Sequence, residues 1–103
     1  MKEYLEQLEK TLMEYGFSKR DGKERLIIYE KKVSKDCERI VAIGPLNVFM
    51  FDDDGKSPIS DTFIHAFDGT ETMIQFRKSN AFMFDFPFKD RNTEEFMEYR
   101  LMA

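Results

Sequence analysis

Four stretches of the chain carry residue types that can do chemistry: Asp52-Asp53-Asp54, Asp61 with His65, Cys37, and the basic run from Lys19 to Arg39. The acidic triplet precedes Gly55 and invites comparison with a calcium loop. Such a loop needs acids at alternating positions before its Gly and a Glu about six residues after it. Here Met50 stands where the first ligand belongs and Asp61 where the Glu belongs, so the pattern fails. Three adjacent acids at a turn read as a solvated loop that can meet a basic partner.

His65 is the sole histidine and shares a strand face with Asp61, Phe63 and Phe67. Asp61 and His65 lie roughly 13 Å apart along an extended strand, too far for a direct bond. A general base also needs a nucleophile within reach, and none is adjacent in sequence. Cys37 is the only cysteine, which excludes an internal disulfide. Lys35 beside it can lower a thiol pKa, yet a Cys37–His65 dyad requires the fold to join distant strands. The basic run Lys19, Arg20, Lys23, Arg25, Lys31, Lys32, Lys35 and Arg39 is interleaved with Asp21, Glu24, Glu30, Asp36 and Glu38. Tyr29 offers a stacking face for single-stranded nucleic acid, but the interleaved acids cancel the field such binding needs. The sequence has no phosphate-cradling Gly-rich loop, no metal-finger spacing and no nucleophile elbow. The sequence therefore implies no cofactor and no resident metal.

These residues are placed by a pattern of short elements. Leu5, Leu8, Leu12 and Tyr15 fall at helical spacing and predict a helix over 2–15, closed by Gly16. Strands are expected near 17–19 and over 25–33, 38–43, 46–51, 59–67, 71–77 and 81–86. Asp21-Gly22, Ser34 to Cys37, Gly44-Pro45, residues 52–58, Asp68-Gly69 and Lys78-Ser79-Asn80 break them. Such short links force antiparallel neighbours. Asn92 is read as the N-cap of a last helix, with Glu95 reaching back to complete a capping box. The expected fold class is α+β: one domain over 1–103, with a meander-like antiparallel sheet of about five to six strands. An N-terminal helix and a short C-terminal helix flank it.

At 103 residues with 42% hydrophobic content, the chain can bury a core unaided. Ten of its eleven Phe lie between Phe49 and Phe96. Net charge is −4, made of +1 over residues 1–44 and −5 over 45–103. An acidic surface argues against general nucleic-acid binding. The opening residues are charged and amphipathic rather than a signal-peptide core, and no apolar run reaches membrane-span length. A cytoplasmic location is the expectation.

One conflict carries information. Phe82, Phe84, Phe86 and Phe88 alternate and share a sheet face, yet Ala81 and Met83 opposite them are also apolar. Val48 and Met50 oppose Phe49 and Phe51 in the same way. A half-wet sheet alternates apolar with polar residues. Both faces therefore need cover, from helices on opposite faces, from strong curling, or from a second chain. The reading is a small protein-binding module of inhibitor, immunity or phage-accessory type, or one that self-associates. Its contact residues are Phe82, Phe84, Phe86 and Phe88, steered by Asp52, Asp53, Asp54 and Asp61. The alternative is a small-ligand domain with a Phe- and Met-lined pocket between sheet and helix. A third reading is an enzyme built on His65 and Asp61.

Overall fold

A computed structural model of the chain describes residues 2–20 and 25–103. The turn expected at Asp21-Gly22, with Lys23 and Glu24, lies outside the described residues. The elements in order are α1 (Lys2–Glu14), β1 (Ser18–Lys19), β2 (Ile27–Ser34), β3 (Cys37–Ile43) and β4 (Asn47–Asp53). They continue with β5 (Ile59–His65), β6 (Glu71–Arg77), β7 (Ala81–Asp85) and α2 (Arg91–Met102). This is the α+β class with an antiparallel sheet between terminal helices.

Helix α1 stops where the chain reverses its handedness. Gly16 adopts φ 88°, which costs a residue without Cβ little. Phe17 N–H donates to the Leu12 carbonyl at 3.0 Å and Gly16 N–H to that of Met13 at 3.1 Å. This is the paired closure of a Schellman motif, and it turns Phe17 inward beside Leu8 and Leu12. Helix α2 starts two residues before the expected cap. Asp90, not Asn92, is the N-cap, and its carboxylate accepts from Thr93 N–H at 2.8 Å. Glu95 pairs with Arg91 at 2.8 Å rather than reaching back to a capping residue.

The strands do not form one meander. Five of them build a sheet in the order β1-β2-β3-β4-β7, every pair antiparallel. Strands β5 and β6 leave it and pair only with each other. The chain departs from β4 and returns as β7 beside the same strand, where Asp52 N–H donates to the Asn80 carbonyl at 2.9 Å. An apolar hairpin has thus been folded out of the sheet and laid on its surface.

That layer resolves the two-sided apolar pattern in a way the sequence did not suggest. Both helices cover one face. Leu8 and Leu12 of α1 and Met97 and Leu101 of α2 meet Val41, Ile43, Val48, Met50, Phe84 and Phe86. The other face, with Ile40, Ala42, Phe49 and Phe51, is covered by Ile64, Ala66, Ile74 and Phe76 of the hairpin segment. The Phe76 ring stands edge-on to Phe49 at 4.8 Å and tilts against Phe51 at 5.9 Å. Each such aromatic pair adds about 0.5–1.5 kcal/mol beyond area burial.

The hairpin segment passes so near Gly44 that a Cβ there would run into the carbonyl oxygen of His65. Backbone cannot yield there as a flexible side chain would, so the fit depends on a missing side chain rather than on glycine's flexibility. Gly44→Ala is expected to push β5 off the sheet and cost about 1–3 kcal/mol, the range for overpacking. Urea unfolding measures the loss, and dye binding to the uncovered face of Phe49 and Phe51 reports its cause.

Candidate functional site

Strands β3 and β4 place Arg39 directly opposite Asp52. Both are buried, at 4% and 8% exposure. The guanidinium grips the carboxylate through two bonds, Nε–Oδ1 at 2.7 Å and Nη2–Oδ2 at 3.0 Å. Its remaining arm, Nη1, donates to the Arg100 carbonyl of α2 at 2.7 Å. Asn80 donates to Asp52 Oδ2 at 2.9 Å, and Arg100 donates to Asn80 Oδ1 while its guanidinium sits 4.0 Å from the Phe82 ring centre. One network, buried at its Arg39–Asp52 centre and half-buried at Asn80 and Arg100, thus ties the central strands to the β6–β7 turn and the last helix. Burial pushes the Asp52 carboxyl up, but hydrogen bonds from Arg39 and Asn80 and the charges of Arg39 and Arg100 hold it below its ordinary value.

The rest of the acidic run is also engaged locally. Strand β4 extends through Asp53, so only Asp54 belongs to the loop. Asp53 accepts from Gly55 N–H at 3.0 Å and lies 3.8 Å from Arg77. Asp54 accepts from Lys56 N–H and from the Ser57 hydroxyl and N–H, bonds that hold its carboxyl far below the usual range. The triplet thus supplies one member of a buried pair, Asp52, and two carboxylates, Asp53 and Asp54, that organise the following turn. Among the described residues, no three acidic, His or Cys side chains gather as a metal site.

The four alternating phenylalanines from Phe82 to Phe88 pack within the fold. Phe84 and Phe86 are buried under the helices, and Phe82 and Phe88 are half-buried beside them. Their alternation is a core signature of the helix face, and Phe84 and Phe86 offer no surface to an outside molecule.

A strip of exposed apolar residues lies elsewhere, on the outer side of the hairpin. Phe63 and Met73 sit opposite each other across β5 and β6 and are 60% and 52% exposed. Ile59 and Phe67, at the two ends of this strip, are 51% and 43% exposed. Asp61 lies between Ile59 and Phe63 on the same side, opposite Gln75, while His65 faces Glu71. Sequence reasoning named Asp61 here but missed the four apolar residues, because outward and inward sides of an apolar hairpin look alike until its packing is known.

A second hollow opens between the helices. It encloses about 290 Å³, with Leu8, Phe86, Phe88 and Met97 among its walls and Glu3, Glu94 and Glu98 among its polar members.

The remaining candidates separate. His65 is exposed, and its carbonyl approaches Gly44, beyond the far end of β3 from Cys37. Spanning β3 separates the two by roughly 20 Å, which rules out a dyad. Burial, followed by the charges of Asp52 and Asp54, pushes the Cys37 thiol up, away from an activated thiolate. Tyr29 is buried and donates to Glu9 at 2.8 Å. Burial and that bond push its hydroxyl up to about 12, and its ring is unavailable for stacking on a base. In the basic run, Arg20 pairs with Glu30 at 2.8 Å and Arg25 with Asp68 at 3.3 Å. No helix is long and apolar enough to cross a membrane among the described residues. Comparison with protein-family models, curated proteins and solved structures returns no match to this chain.

The Arg39–Asp52 pair yields a quantitative expectation. Asp52→Ala leaves a buried guanidinium without its carboxylate and should cost about 3–5 kcal/mol by urea unfolding near neutral pH. Because the folded carboxyl titrates below its ordinary value of 3.8, its stabilisation is present above that value and is lost as pH falls further. The gap between wild type and variant should therefore narrow in acid.

Proposed function

We propose that the chain is a protein-binding module whose docking surface is the outer side of the β5–β6 hairpin. The observation that supports this most is the strip Ile59, Phe63, Phe67 and Met73, four large apolar residues left in water along one hairpin and its turn. An apolar side facing solvent on a structural hairpin costs solubility and adds nothing to the core. It contributes when a partner removes it from water, at about 25 cal/mol per Å² of apolar surface. Asp61, Glu71 and Asp68 border the strip. The residues after Pro45 also carry the chain's negative charge, −5 of a total of −4. The partner that fits is a protein with an apolar patch rimmed by Lys or Arg. Its approach is hastened by opposite charge and slowed by salt. The hairpin's inner side packs on the sheet, and the Arg25–Asp68 and Arg77–Asp53 ion pairs and the bond from Phe67 N–H to the Arg25 carbonyl tie it at its ends, so it presents the outer side on a rigid platform. Action by occupying such a partner's surface suits an inhibitor or accessory protein and needs no catalytic group.

The hollow between α1 and α2 favours a second reading, a small amphipathic cation with its apolar body on Phe86, Phe88 and Met97 and its charge near Glu3, Glu94 and Glu98.

Immobilised wild type, the double variant Phe63→Asp/Met73→Asp, and the cleft-filling variant Gln7→Trp separate these readings. The protein retained from the native cell is then purified and its binding measured directly. The expected result is a basic partner that binds wild type and Gln7→Trp alike, weakens with salt, and loses at least roughly a hundredfold in affinity for the double variant. Unchanged affinity of the double variant, with binding lost in Gln7→Trp, contradicts the hairpin surface and moves the function to the cleft.

A further inference from the structure

The two edges of the five-stranded sheet are built differently. Strand β1 at one edge is only Ser18–Lys19, followed by Arg20. Short length and positive charge are standard protection against strand pairing. Strand β7 at the other edge runs Ala81-Phe82-Met83-Phe84-Asp85, without a Lys, a Pro or a register shift against β4. Phe86 N–H donates to the Leu46 carbonyl and Asn80 accepts from Asp52 N–H, so even-numbered residues turn their backbone toward β4. By the antiparallel alternation, Ala81, Met83 and Asp85 turn N–H and C=O outward. Among the described residues, no strand takes these groups.

The space along this edge is shaped to receive a strand. An open groove of about 520 Å³ follows it, with Met83, Asp85, Lys89, Asn92 and Phe96 among its walls. Its lip is greasy. Met83 is 42% exposed, Phe96 on α2 46%, and Tyr99, one turn along, 63%.

We propose that β7 pairs antiparallel with β7 of a second copy of this chain, extending the sheet across a two-fold axis at Met83. The choice of occupant follows from self-complementarity. Centred on Met83, that register sets the exposed Met83 against Met83 and Asp85 against the second copy's Ala81, while Phe82 and Phe84, opposite in register, keep their rings under the helix of their own copy. The exposed apolar side chain of the strand, Met83, meets its like at the axis. The two Asp85 carboxylates fall at opposite ends, each beside the smallest side chain of the strand. Ala81, Met83 and Asp85 then exchange about six backbone hydrogen bonds with the second copy. The two α2 helices lie on the same face of the extended sheet, so Phe96 and Tyr99 of each copy border the joint. This surface is separate from the outer side of the β5–β6 hairpin.

Met83 is the position to test because its side chain is exposed and its outward amide contributes nothing to the β4 ladder. Met83→Lys and Met83→Glu each put like charges opposite each other, which disfavours antiparallel pairing. Sedimentation of wild type should show a reversible dimer. Each variant alone should dissociate roughly tenfold or more readily while its thermal melting measured at low concentration stays unchanged. Mixing the two should restore the dimer, since Lys then faces Glu across the axis. A wild type that stays monomeric into the high micromolar range overturns the proposal, as does a wild type that captures an extended peptide along β7 instead. Two variants that dimerise as well as wild type, or a mixture that fails to recover, overturn the register. Phe63→Asp/Met73→Asp should dimerise normally, which keeps this outcome independent of the hairpin surface.

Discussion

A sheet with apolar side chains on both faces must be taken out of water twice, and that constraint governs this molecule. Val41, Ile43, Val48 and Met50 point to one side of the central strands, and Ile40, Ala42, Phe49 and Phe51 to the other. The helices at the chain ends cover the first side together. The second would remain wet, so the middle of the chain is diverted into a hairpin that lies across it. The order β1-β2-β3-β4-β7 follows, since β7 must return to β4 after the excursion. So does the glycine at position 44, where hairpin and sheet backbones pass too closely for a side chain.

The diversion needs a fixed root, and the Arg39–Asp52 pair supplies one. Asp52 lies at the point where β4 ends and β7 begins beside it. It takes Arg39 from the neighbouring strand and Asn80 from the returning turn. Arg39 in turn reaches the last turn of α2. A buried ion pair is a weak source of net stability, because desolvation offsets most of the attraction. Its effect here is on specificity. A strand register displaced by one residue leaves a guanidinium and a carboxylate buried apart, whereas a purely apolar junction tolerates slippage.

Much of this was legible because local chemistry repeats local rules. Leu5, Leu8 and Leu12 at helical spacing, ended by Gly16, marked α1. The Gly44-Pro45 break between two short apolar runs marked the β3–β4 hairpin. Folding the sequence about that break brings Arg39 opposite Asp52, so the pair had a signal, obscured by two further acids that suggested a loop. The start of α2 was read two residues late because Asp90 and Asn92 are both competent caps and only packing decides between them. The departure of β5 and β6 from the sheet was not legible. Phe63 and Ile64 are adjacent apolar residues in the same strand, one in water and one in the core, and no short-range pattern distinguishes them. The phenylalanines from Phe82 to Phe88 meet the same limit: alternation shows that residues share a face and is silent on what covers it.

What remains in water after both covers are in place includes the outer side of the hairpin and the open edge of β7, and the functional readings rest on these. Both presuppose that the hairpin covers the second face. The most direct measurement is the set of nuclear Overhauser contacts made by the Phe76 ring in solution. Contacts to the rings of Phe49 and Phe51 are required, given separations of 4.8 and 5.9 Å, with none from Phe63 to the sheet. A Phe76 ring without contact to either, or Phe63 found against the sheet in its place, would contradict the two-cover fold.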